Sequence, residues 1–169
     1  VYLIWFLGKH FRQPALQKVF PTIFITLAGI MMAGATAPNF HVESFGLLFV
    51  WAGLIMFLAS FGFAAVRVFK LPLPDAAQPT VCICAAPLSL ALVGYLACEP
   101  NPSVVTVGIM LMFGQVLFAF AVVQLPRLLK MTFYPSQAAM TFPFVISAIA
   151  LSQGMQFLLG AAGLQAVQF

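Results

Sequence analysis

Hydrophobic residues fill this chain in long blocks rather than in alternation, and short clusters of proline, asparagine and charge separate the blocks. No Lys, Arg, Asp or Glu occurs in 19–42, 44–66, 76–98, 100–126 or 131–169. About 20 apolar residues are enough to cross a hydrocarbon core of about 30 Å as a helix. Breakers stand in the gaps: Pro38-Asn39, Leu71-Pro-Leu-Pro-Asp75 and Glu99-Pro-Asn-Pro102. The pattern predicts five spans, A at 20–37, B at 44–66, C at 80–98, D at 103–125 and E at 136–158. In lipid only helices and closed barrels pair all their backbone groups. These blocks lack strand alternation, so the fold class is all-α, an integral-membrane helical bundle. Residues 1–7 read as the stub of a preceding span, which makes the 169 residues a single transmembrane domain belonging to a longer bundle.

A repeat runs through the alternate spans. A opens Phe20-Pro21-Thr22, C opens Gln78-Pro79-Thr80 and E opens Tyr134-Pro135-Ser136. Proline suits a helix start because the N–H it lacks has no partner there anyway. Eight residues after each of these prolines stands a second breaker: Gly29, Pro87 and Pro143. B and D, as bounded here, contain no proline. The unit is a helical hairpin, repeated with its weak point at one depth, about 12 Å from the helix start at α-helical rise. Pro87 and Pro143 are expected to kink C and E, and the carbonyls they free, near Ile83 and Ala139, need other partners.

At about 100° per residue, Thr22, Thr26, Gly29, Ala33 and Thr36 share a stripe of A, and Thr80, Cys84, Pro87, Gly94 and Cys98 a stripe of C. Gln137, Thr141, Ser152, Gln153 and Gln156 share a broader face of E with Phe142. Such stripes serve tight helix packing or line a polar path, and the sequence leaves both open. On B, Gly46, Gly53 and Ser60 read as packing. Ala28 and Ala86 precede the breakers of A and C, whereas E has Phe142 there. If A, C and E surround a path, that ring stands in its narrowest part, where an apolar constriction gates by dewetting.

Composition narrows the function. With 63% hydrophobic and only 6% charged residues, and a mean hydropathy of +1.10, the chain cannot be an ordinary soluble domain. The net charge of +4 is scattered, so no basic block points to nucleic acid. Glu43, Asp75 and Glu99 fall between spans, as do His10 and His41. Paired-carboxylate or triad catalysis therefore has no site, and the chain is read as no enzyme, with no cofactor. Cys82, Cys84 and Cys98 form neither a disulfide framework nor a four-ligand metal set, and read as small membrane-compatible hydrophobes. All seven basic residues lie on one side: Lys9, Arg12 and Lys18 before A, Arg67 and Lys70 between B and C, Arg127 and Lys130 between D and E. The positive-inside tendency makes that side cytoplasmic in a multi-pass protein of the cell membrane, with A, C and E running outward.

The stretch Phe133-Tyr-Pro-Ser-Gln-Ala-Ala-Met-Thr-Phe-Pro-Phe-Val-Ile-Ser-Ala-Ile-Ala150 resembles the ninth helix of the tellurite-resistance/dicarboxylate transporter family, which includes TehA, fungal malate and sulfite transporters and plant slow anion channels. Phe20-Pro-Thr-Ile-Phe-Ile-Thr-Leu-Ala-Gly-Ile30 with Thr36-Ala-Pro38 resembles its fifth helix, and Ala85-Ala-Pro-Leu-Ser-Leu90 with Gly94-Tyr95 its seventh. The resemblance implies ten helices in five hairpins, kinked odd-numbered helices around a pore in each subunit of a homotrimer, and Phe142 as the pore-occluding ring. Helices one to four and ten have no counterpart here. The function expected is transport of small anions, C4-dicarboxylates such as malate, or tellurite or sulfite. Thr22, Thr26, Thr36, Thr80, Thr141, Ser152 and Gln153 are the expected lining. Anion preference would come from hydroxyls, backbone dipoles and the basic rim, because no carboxylate lies in a span. The alternative is a non-transporting packing or regulatory subunit.

Overall fold

The structure, a computed structural model, describes residues 29–70 and 74–163, with the side chains of 63–70 excepted. Most of span A, including Thr22 and Thr26, and the stub at 1–7 lie outside the described residues. The elements are α1 (Met31–Thr36), a 3₁₀ turn (Ala37–Phe40), α2 (Glu43–Lys70), a 3₁₀ helix (Asp75–Ala85) running into α3 (Ala86–Cys98), α4 (Val104–Leu129), and a 3₁₀ helix (Pro135–Met140) running into α5 (Thr141–Ala161). Among the described residues there is no strand. Among the described residues four helices are long and apolar enough to cross a membrane, and they correspond to spans B to E.

Span C is the centre. In its most apolar stretch 78% of residues are buried, against 33%, 28% and 22% for B, D and E. α3 packs on α1, α2, α4 and α5, while α2 and α4 flank it on either side. The core runs through Met31, Val50, Phe57, Leu90, Leu92, Val107 and Ile146. A smaller cluster, Cys82, Ala85, Ala121 and Leu128, joins the first half of C to the end of D.

Three of the expected boundaries shift. α2 continues past 66 to Lys70 and α4 past 125 to Leu129, so Arg67, Lys70 and Arg127 ride on helix ends rather than in loops. Cations there complement the C-terminal carbonyls, which gives the helices a reason to continue beyond the apolar block. α4 therefore includes Pro126, which leaves the last turn intact. Span C begins at Asp75, not at Thr80, with Pro79 inside its 3₁₀ half. Proline's fixed φ of about −65° lies within the 3₁₀ range, so Pro79 extends that winding without strain.

The largest departure concerns winding. C opens with 11 residues of 3₁₀ helix and E with 6, the rest of each being α, and the change falls at Ala85/Ala86 and Met140/Thr141, within three residues of Pro87 and Pro143. At about 2.0 Å per 3₁₀ residue as far as Ala85 and about 1.5 Å beyond it, the stretch from Pro79 to Pro87 covers about 15 Å rather than 12. The missing N–H of Pro87 is also made good locally, because the Ala86 N–H donates to the Ile83 carbonyl in an i to i−3 bond. Tighter winding thus pairs the carbonyl that an α-helix would have left free. In span A the turn at Gly29–Ile30 precedes α1, with the Met32 N–H donating to Gly29 O at 3.0 Å.

We expect Pro87→Ala to let α winding spread back into the 3₁₀ half of C, shortening it by about 0.5 Å per converted residue. Infrared amide bands of isotope-labelled protein would register the conversion. Leu58→Ala, on the exposed face of α2, should leave them as in wild type.

Candidate anion path

α5 presents two opposite faces. Pro143, Ile146, Ser147, Ala150 and Gly154 are buried against α3 and α4. Thr141, Phe142, Val145, Ile149, Ser152, Gln153 and Gln156 are exposed and fall within about 160° of the helix circumference. Along this open face polar groups stand at both ends, Thr141 at one and Ser152, Gln153 and Gln156 at the other, with Val145 and Ile149 between them. Gln156 Nε2 donates to Ser152 Oγ at 3.5 Å. Phe142 is 47% exposed and lies at the 3₁₀-to-α change.

The exposed faces of the other spans differ in kind. α2 exposes Phe45, Leu48, Trp51, Ile55 and Leu58, and α4 exposes Val105, Ile109, Met112, Phe113, Val116 and Val123. Those faces suit hydrocarbon. Two glutamines, a serine and a threonine on α5 do not, since polar groups without partners in lipid cost several kcal/mol each.

The remaining candidates sit elsewhere. Thr80 is only 8% exposed, and its hydroxyl donates to Ala77 O at 2.6 Å. Thr36 is part-buried and its hydroxyl donates to Met32 O at 3.0 Å. Gln137 is half-buried, its amide donating to Leu128 O at 3.4 Å. The small-residue stripe of C is taken up by packing: a Cβ on Gly94 would meet Val50 Cγ2 at 2.8 Å and Ala35 N at 3.3 Å, and Cys98 Sγ donates to Gly34 O at 3.0 Å. Gly46, Gly53 and Ser60 of α2 are buried too, with Gly46 against Ala37 and Cys98 and Gly53 against Met31.

Behind the open face lies a polar cluster that the sequence reading missed. Ser89 Oγ is 3.1 Å from Ser147 Oγ and donates to Ala85 O at 3.1 Å, while Gln115 Nε2 donates to Ser147 O at 3.3 Å. It ties α3, α4 and α5 together one turn past the two prolines. Each hydroxyl is satisfied, as buried polar groups must be. The available signal was a serine within four residues after each proline, but nothing in the sequence pairs Ser89 with Ser147 or brings Gln115 between them. At the 3₁₀ ends, Ser136 Oγ donates to Ala76 O at 2.5 Å, so the first halves of C and E are also linked.

A model of the voltage-dependent anion channel family (SLAC1) matches residues 1–167. The chain belongs to that family. Comparison with curated proteins and with solved structures found no match. Membership in the voltage-dependent anion channel family, together with the four helices among the described residues that are long and apolar enough to cross a membrane, makes this a multi-pass membrane protein of an anion-transporting family.

Proposed function

We propose that this protein conducts small anions along the open face of α5, with Phe142 as the constriction and Thr141, Ser152, Gln153 and Gln156 as hydrogen-bond donors on either side of it. The observation that carries this reading is the exposed polar set on α5, set against exposed faces of α2 and α4 that, among the described residues, are apolar apart from Ser44 at the start of α2 and Arg127 at the end of α4. Hydroxyl and amide donors, with Glu43 and Asp75 only at the first residues of their helices and Glu99 beyond the end of α3, favour an anion over a cation. Gly29, Pro87 and Pro143 are the joints at which the path-forming spans change direction. The substrates proposed are C4-dicarboxylates such as malate, or oxyanions of the tellurite and sulfite kind, carried by a homotrimer in the cell membrane. In that assembly further helices close the open side of α5, and the region seen here is one transmembrane domain of the bundle.

Purified protein in liposomes should pass malate, sulfite or tellurite down a gradient and exclude potassium. Absence of flux for every anion tried, in protein shown to be folded, would leave a packing or regulatory subunit as the better reading.

Orientation is proposed from the basic residues, with Arg127 and Lys130 facing the cytoplasm. Lys130 and Asn101 are both exposed, at opposite ends of α4. A cysteine at position 101 should react with an impermeant maleimide in intact cells, and one at 130 only after permeabilisation. The reverse pattern would invert the topology.

A further inference from the structure

A groove runs between α2 and α4 with α3 as its floor. Trp51, Phe57 and Phe61 line one wall, Thr106 and Leu117 mark the ends of the other, and Leu88 lies at the bottom. It is independent of the α5 face, sharing no residue with it. Its existence follows from the fold: α2 and α4 both pack on α3 and not extensively on each other. Its lining is apolar apart from Thr106, which lies near the Ser103 end of α4.

We propose that this groove holds one acyl chain of a bilayer phospholipid. Two features choose that occupant over a neighbouring protein helix. The first is length: from Thr106 to Leu117 is about 16 Å of helix axis, about half of a hydrocarbon core of about 30 Å, the reach of a chain from one leaflet. A helix from another subunit crosses the whole core and would need a groove of full length. The second is chemistry, since the one hydroxyl of the lining, that of Thr106, sits near a helix end, where a headgroup would lie.

The placement has a consequence for function. Leu88 follows Pro87 directly and belongs to the first turn of α3, where 3₁₀ winding gives way to α. A chain in the groove therefore touches the helix at its change of winding, and lipid composition acts on span C at that point.

Brominated lipid tests the assignment. The chain has two tryptophans, Trp5 and Trp51, so Trp5→Phe leaves Trp51 as a reporter on the groove wall. This protein is reconstituted in phosphatidylcholine with brominated acyl chains, extracted into bromine-free detergent and washed until bulk lipid is gone. Trp51 fluorescence should remain quenched, with one phospholipid retained per chain by phosphate assay. Ile109→Phe with Val116→Phe fills the groove from exposed positions of α4, and should abolish both the quenching and the retained lipid. Val105→Phe with Val123→Phe, equally exposed but outside the groove, should abolish neither. Full recovery of wild-type fluorescence on washing, or quenching that survives in the filled variant, overturns the proposal. So does a Trp51 that brominated lipid never quenches even in the membrane while cysteines at 109 and 58 cross-link separate chains, since a second copy would then occupy the site. None of these readouts involves anion flux, so the outcome is separable from that of the proposed path.

Discussion

Phe142→Ala should raise basal anion conductance on the order of tenfold, equivalent to a barrier lowered by about 1.4 kcal/mol. The ring lies on the open face of α5 at mid-span, where its two repeats have Ala28 and Ala86. Removing it gives E the methyl group of the other two spans, and on the proposed path it should wet the constriction that the ring is proposed to keep dry. The ring is 47% exposed, so its loss costs less stability than the 3–5 kcal/mol typical of a buried phenylalanine, about 1 kcal/mol. Phe144 makes the contrast sharp. It points about 200° away around the helix, is half-buried, and meets Phe118 edge to face with ring centroids 5.3 Å apart. Phe144→Ala should therefore cost about 3 kcal/mol of stability and leave conductance per folded channel unchanged. Patch-clamp current normalised to surface abundance, beside thermal unfolding in detergent, separates the two. Wild-type current per channel in Phe142→Ala would remove the gate from the proposal.

The bilayer is why so much of the fold could be read from residues alone. It forbids charge and unpaired backbone within its thickness, so charge gaps and prolines mark the spans, and B to E appear where the gaps put them. The winding of C and E was not legible. Proline, alanine and cysteine in Pro79-Thr-Val-Cys-Ile-Cys-Ala-Ala-Pro87 are compatible with α and with 3₁₀ helix, and the choice rests on which carbonyls find partners once the segment packs on α4 and on the first half of E. Helix ends were misjudged for a related reason: Arg67 and Arg127 look like loop residues to a hydropathy rule, yet a helix can carry charge once it leaves the hydrocarbon. On the candidate path, 3.6-residue periodicity was enough to group Thr141, Phe142, Ser152, Gln153 and Gln156 on one face. Periodicity gave no means of telling a lining stripe from a packing stripe, because glycine, cysteine and threonine serve both. Neighbours decide that question, and for Gly94 and Cys98 the neighbours are Val50 and the backbone of α1.

Those neighbours set the second large effect, at the junction of α1, α2 and α3. A Cβ on Gly46 would overlap Ala37 Cβ and reach Cys98 Sγ at 2.6 Å, and one on Gly34 would overlap Val50 Cγ2 and meet Gly46 O at 3.0 Å. Neither side can yield. Ala37 Cβ is fixed to its backbone, and the Cys98 thiol is held by its bond to Gly34 O at 3.0 Å. Three helices thus approach to backbone contact, the arrangement that small residues permit in membranes, where association depends on close packing rather than on expulsion of water. Gly46→Val forces the helices apart, and we expect a loss of at least about 3 kcal/mol, the upper end for overpacking a core. Gly108 in α4 has nothing within 4 Å of an added Cβ. Gly108→Val should then be tolerated, and Gly108→Ala should match or exceed wild-type stability, since glycine inside a helix costs about 0.5–1 kcal/mol relative to alanine. Thermal unfolding of the three variants in the same detergent tests the ranking. If Gly46→Val and Gly108→Val unfold at the same temperature, the close approach of α1 and α3 to α2 is not what holds this end of the bundle together.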